Sequence, residues 1–161
     1  MRTLRQLCRY NAWANARVFA CCRGVDPAVL GAEAKGTIGT IEETLKHAVG
    51  VEDVYLVMLR GEDPRTALGP REEYHGHDLA WFAGRAGEVG AGYLALLEEV
   101  DEAFLAAEFK IPWFQRPISR RDGVLQAITH SHQHRAQVLS ALGERGVAVP
   151  DVDLVLMLQE G

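Results

Sequence analysis

The sequence predicts an all-α protein, a four-helix bundle closed by a short C-terminal helix. Three observations carry that reading. Four stretches of about 20 residues repeat apolar side chains at steps of three and four, the period that covers one face of a helix. Helix-starting and helix-breaking residues bound these stretches. A chain of 161 residues with 48% apolar composition also suits one compact domain, residues 1–161, with a full core and little left for a second.

The first helix runs from Leu4 to Cys22, with Leu4, Leu7, Cys8, Asn11, Ala14, Asn15, Val18 and Cys22 on one stripe, and Gly24 and Pro27 end it. Asn11 and Asn15 stand in the middle of that stripe, one turn apart. A carboxamide there finds partners or costs ~1–3 kcal/mol. The pair reads either as core amides that fix helix register or as groups that contact substrate or brace a site inside the bundle. Tyr10, Trp13 and Arg17 occupy an adjoining face and offer packing to a neighbouring helix.

After a connection rich in Gly and Ala, Thr40 to Leu59 forms the second helix, and Thr40 with Glu43 fits a capping box. Val51, Val54 and Met58 share the side of His47, whereas Leu45, Val49, Leu56 and Leu59 fall opposite. Only a narrow polar sector of Glu43, Lys46 and Asp53 remains. A helix buried on two sides in so small a protein suggests a subunit interface, hence a homodimer. Glu43, one turn before His47, is a helix cap or, alternatively, an outer partner of that histidine.

Residues 61–76 read as a surface loop with His75 and His77 solvated. Asp78 caps a third helix to about Val100, weakened by ~1 kcal/mol at each of Gly84, Gly87, Gly90 and Gly92, unless packing holds it or another backbone comes close. Asp101 to Ala107 is a further helical turn. Phe109 to Ile118, broken by Pro112 and Pro117, suits an extended loop or small hairpin over one end of the bundle. Ser119 and Asp122 start the last long helix, which ends near Gly143, and Val152 to Leu158 packs as a short terminal helix.

Composition narrows function. Seventeen Lys and Arg against 22 Asp and Glu give a net charge of −5 with no dense basic run, which argues against nucleic acid as a partner. No apolar run approaches the roughly 18 residues a membrane span needs, so a soluble, cytoplasmic protein with no membrane partner is expected. Cys8, Cys21 and Cys22 are odd in number and lack metal or redox spacing, so they read as ordinary thiols.

The informative stretch is Thr129 to Gln137, where three of six histidines fall within five residues. On a helix His130 and His134 share a face and His132 points away. A transition metal such as zinc or nickel suits an imidazole pair. The third ligand is His47, the other histidine inside a strongly apolar helix. Three neutral ligands leave an open place for water, hydroxide or a thiolate, and an open site points to Lewis-acid chemistry. Ser131 stands where the glutamate of an H-E-x-x-H motif would be, which sets aside that hydrolytic mechanism. The one E-x-x-H spacing, Glu72 to His75, lies in a loop, so a di-iron bundle is set aside too. Arg135 falls near the centre of the apolar arc and needs an acid, a carbonyl or an anionic substrate group as partner.

Several segments together resemble the DinB family of the DinB/YfiT-like superfamily. Tyr10, Asn11, Trp13, Ala14, Asn15 and Arg17 are similar to a Y-N-x-W-A-N-x-R opening. Thr44 to His47 followed by Val54 and Leu56, and the closing Pro150, Asp151, Val152, Asp153 and Leu154, match further segments. His130 to Gln137 resembles H-x-x-x-H-R-G-Q, with Ala136 in place of the glycine. The resemblance implies a four-helix bundle, often dimeric, with a divalent metal on three histidines that match His47, His130 and His134. It also implies a small-molecule substrate, since members of the superfamily include transferases and isomerases using low-molecular-weight thiols such as bacillithiol or mycothiol. The expectation is a metal-dependent thiol transferase or hydrolase in which Asn11, Asn15, Glu43 and Arg135 are candidate substrate or supporting contacts, and Glu43 or His132 a candidate base. The competing expectation is a non-catalytic metal-binding or stress-response protein whose ion ties two helices together.

Overall fold

The computed structural model describes residues 1–67 and 76–160, so Glu72 and His75 lie outside the described residues. In chain order the elements are α1 (Arg2–Cys22), α2 (Pro27–Leu30), α3 (Ile41–Leu59), α4 (Leu79–Glu99), α5 (Glu102–Ala106), β1 (Glu108–Phe109), β2 (Ile118–Ser119), α6 (Arg120–Gly143) and α7 (Leu154–Glu160). Local chemistry sets most boundaries. Thr40 and Glu43 close a reciprocal capping box at the start of α3, Asp78 accepts from the Trp81 amide at α4, and Ser119 accepts from the Asp122 amide at α6. The connection before α3 contains one helical turn that the sequence reading did not separate. Its signal was present, because Asp26 caps it and Pro27 starts it. The segment expected as a loop or hairpin pairs Glu108 with Ser119 and Phe109 with Ile118, antiparallel.

The four long helices form a ring in which α3 packs on α6, α1 on α4, α3 on α4 and α1 on α6. Two apolar clusters fill its ends. One joins Leu4 and Cys8 to Leu56, Leu59, Leu97 and Val124; the other joins Val18 and Cys22 to Ile41, Leu45, Phe82 and Leu142. Reading each helix from cluster to cluster gives its direction: α1 and α6 run one way, α3 and α4 the other. Both α1 to α3 and α4 to α6 therefore cross the diagonal of the ring. Where α4 meets α1, a Cβ at Gly90 would stand 2.8 Å from the Ala12 Cβ, so this glycine admits the close approach of the two backbones.

Three expectations change here. Asp53, expected in a solvated sector, is buried, because Arg85 of α4 reaches its carboxylate at 2.8 Å. The two apolar sides of α3 are both covered within the one chain, by α6 and α4. The terminal helix forms, but its apolar residues do not enter the core: Val155 is 54% and Leu158 51% exposed. It is held to α1 by polar contacts instead. Glu160 pairs with Arg17 and accepts from Trp13 Nε1 at 2.8 Å, which is the use α1 makes of its Trp13 and Arg17 face. No described helix is long and apolar enough to cross a membrane.

Candidate metal centre

Between the two apolar clusters lies a polar level to which all four long helices contribute. On the seam between α3 and α6 it presents His47, His130 and His134, whose ligand atoms lie within 4.8 Å of one another. The helical spacing predicted for the pair holds: the His130 and His134 rings are 4.4 Å apart between centroids, and His47 stands 5.1 Å from the first and 5.0 Å from the second. His132 is exposed, one face away.

The rings are poised as ligands. His134 Nδ1 lies 2.7 Å from Gln137 Oε1, a contact in which the ring N–H donates to the amide oxygen and leaves the Nε2 lone pair facing His130. The two Nε2 atoms are 3.2 Å apart, close to the roughly 3.3 Å expected for imidazoles bound ~2.0 Å from one tetrahedral ion. Burial and the neighbouring imidazoles push His130 down from 6.5 to about 4, and burial likewise lowers His134. Neutral rings are the metal-binding form. The described residues thus fit a divalent ion, with His47, His130 and His134 as its holders and no carboxylate among the converging atoms. His130 Nδ1 is buried without a hydrogen-bond partner among the described residues.

The other candidates separate into two fates. Glu43 belongs to the cap, where its carboxylate accepts from the Thr40 amide at 2.7 Å, and it is not one of the converging groups. Asn11, Asn15 and Arg135 come together in the interior. Arg135, 1% exposed, donates from Nη1 to Asn11 Oδ1 at 2.6 Å, to Asn15 Oδ1 at 2.7 Å and to Ser131 Oγ at 3.0 Å. Its guanidinium lies 5.9 Å from the centre of the Tyr10 ring.

The acid that Arg135 requires is Glu52, which the sequence reading passed over. It is 1% exposed and accepts from Asn15 Nδ2 at 2.9 Å, while its backbone carbonyl accepts from Tyr93 of α4 at 2.9 Å. Burial is the dominant influence and leaves its carboxyl raised above the ordinary value, partly offset by the hydrogen bond from Asn15 and the charge of Arg135. A signal for it existed. Glu52 follows Leu45 and Val49 and precedes Leu56 and Leu59 at steps of seven, three, four and seven, so it sits at the centre of an apolar stripe. Glu52 Oε2 and Arg135 Nε and Nη2 are buried without a well-formed partner among the described residues, at ~1–3 kcal/mol for each such group.

Fold and site together define a four-helix bundle with a three-histidine cluster at its waist, one that could hold a metal ion. The chain belongs to the DinB family, whose model matches residues 1–160. No curated protein matches it. Among solved structures it is similar to YfiT from Bacillus subtilis, described as a probable metal-dependent hydrolase with an unusual four-helix bundle topology, at a TM-score of 0.76 and 12% identity over 92% of this chain and 90% of that one. It is also similar to the DinB-like protein YjoA from Bacillus subtilis, at a TM-score of 0.65 and 15% identity over 92% of this chain and 98% of that one. At these identities the likeness shows the shared fold.

Proposed function

We propose that the chain is a divalent-metal-dependent enzyme of the hydrolase or thiol-transferase type, working at His47, His130 and His134. The observation that supports this most is the donor set itself: three imidazoles converging within 4.8 Å without a carboxylate among them. A divalent ion held by such a set keeps its full charge and supplies Lewis acidity toward an oxygen or sulfur donor. The chain's own residues do the rest. Gln137 orients His134, and Val51 and Val54, half-buried on the turns that follow His47, offer apolar contact to a small-molecule substrate beside the cluster. The description of YfiT supports the hydrolase arm; the neutral ligand set, which suits an anionic sulfur, supports a low-molecular-weight thiol. A homodimer, proposed on the family resemblance alone because both sides of α3 are covered within one chain, is measured by analytical ultracentrifugation.

The test is bound metal in the wild type and in His134→Ala, followed by turnover of an aryl ester and of a thiol with a model electrophile. Stoichiometric metal in the wild type, its loss in the variant and turnover of either substrate are expected. If metal removal unfolds the protein and neither substrate reacts, the ion is a structural tie and the catalytic reading is wrong.

A further inference from the structure

Glu52 and Arg135 are opposite charges buried in the same level, joined through Asn15, which donates to the one and accepts from the other. The chain of contacts runs from α3 through α1 to α6, and Tyr93 adds α4. On α6 each member directly follows a histidine: Ser131 follows His130 and Arg135 follows His134. On α3, Glu52 follows His47 by five residues.

We infer that Glu52 and Arg135 are positioning residues of the metal centre, whose bridge through Asn15 fixes how far along α6 the histidine of α3 stands. The inference rests on the three-histidine reading proposed above. Because His47 and Glu52 share α3 while His130, His134 and Arg135 share α6, a slide that carries His47 away from His130 and His134 also separates Glu52 from Arg135 and breaks the bridge. The apolar clusters on either side hold the helices together by contact that is non-directional and so define the register less sharply. Hydrogen bonds define it more sharply, because they demand a distance and an angle. Stability alone does not select this layer either. It strands polar atoms of both charged residues, and buried ionic networks are often replaced by apolar packing without loss of stability. What the polar layer adds is a single register.

The test titrates cobalt(II), whose absorption reports its ligand field, into the metal-free full-length chain. The variants are Glu52→Leu combined with Arg135→Met, which removes both charges, and Glu52→Gln, which keeps an acceptor for Asn15. The double variant is expected to fold without metal, yet to bind cobalt on the order of 10-fold or more weakly, with a spectrum shifted toward that of His47→Ala. Glu52→Gln is expected to retain wild-type affinity and spectrum. Should the double variant fail to fold, Asn15→Ala, which cuts the bridge and leaves both charges, is expected to show the same weakening. If the wild type binds no cobalt, or His134→Ala binds it equally well, the three-histidine reading fails and the inference with it. If the wild type binds at the histidines and the bridge-cutting variant keeps wild-type affinity and spectrum, the three-histidine reading stands and the positioning role is overturned.

Discussion

Two pairs of residues four apart lie side by side on α6 and face different surroundings. His130 and His134 look onto the seam with α3, where His130 and His47 are half-buried. Ser131 and Arg135 look into the interior and are fully enclosed. A rotation of one residue, about 100° on a helix, separates groups open to an incoming ligand from groups sealed against exchange. The seam presents ring nitrogens that a ligand can reach. The interior holds charges whose partners must already be part of the fold.

The largest expected effect tests that division directly. Arg135→Ala removes the counter-charge of Glu52 and the donor to Asn11, Asn15 and Ser131 and should cost ~3–5 kcal/mol in chemical denaturation. His134→Ala in the metal-free protein should cost far less; equal losses would erase the distinction. Next comes the response to a divalent ion. At ~100 times its dissociation constant, metal should raise wild-type stability by ~2.7 kcal/mol and leave His134→Ala unmoved, as read from melts with and without chelator. Ser131→Ala, which removes a 3.0 Å contact to Arg135, should cost ~1.5–3 kcal/mol without altering metal content. A pH dependence of the metal-free protein closes the series. His130 is lowered in the fold to about 4, so its contribution is present above the unfolded value of ~6.5 and is lost as pH falls toward 4. Thermal melts across that window should slope less steeply in His130→Ala than in the wild type.

What was legible in the sequence follows the same division. The helices were readable because caps and apolar periods are local, and the histidine pair because four-residue spacing is a property of one helix. Asn11, Asn15 and Arg135 were conspicuous as polar residues in apolar stripes, and the structure brings all three together. Glu52 was the missing fourth. Its stripe lies between more apolar residues on both sides of α3, so one acid does little to the pattern, and only the demand of Arg135 for a counter-charge points to it. Asp53 was misplaced for a related reason, since its partner Arg85 sits on another helix and a wheel drawn for one helix cannot include it. The exposure of α7 was hidden because apolar content alone does not say that the four-helix core is already full.

The diagonal connections have a consequence for synthesis. His47 and His134 are separated by 87 residues, with α4, α5 and the hairpin made in between. At ~5–20 residues per second, roughly 4–17 s pass between the emergence of the first histidine and that of the last. A growing chain therefore offers an ion no three-histidine cluster of His47, His130 and His134 until α6 has been made, and loading of that cluster belongs to the late stages of synthesis or after.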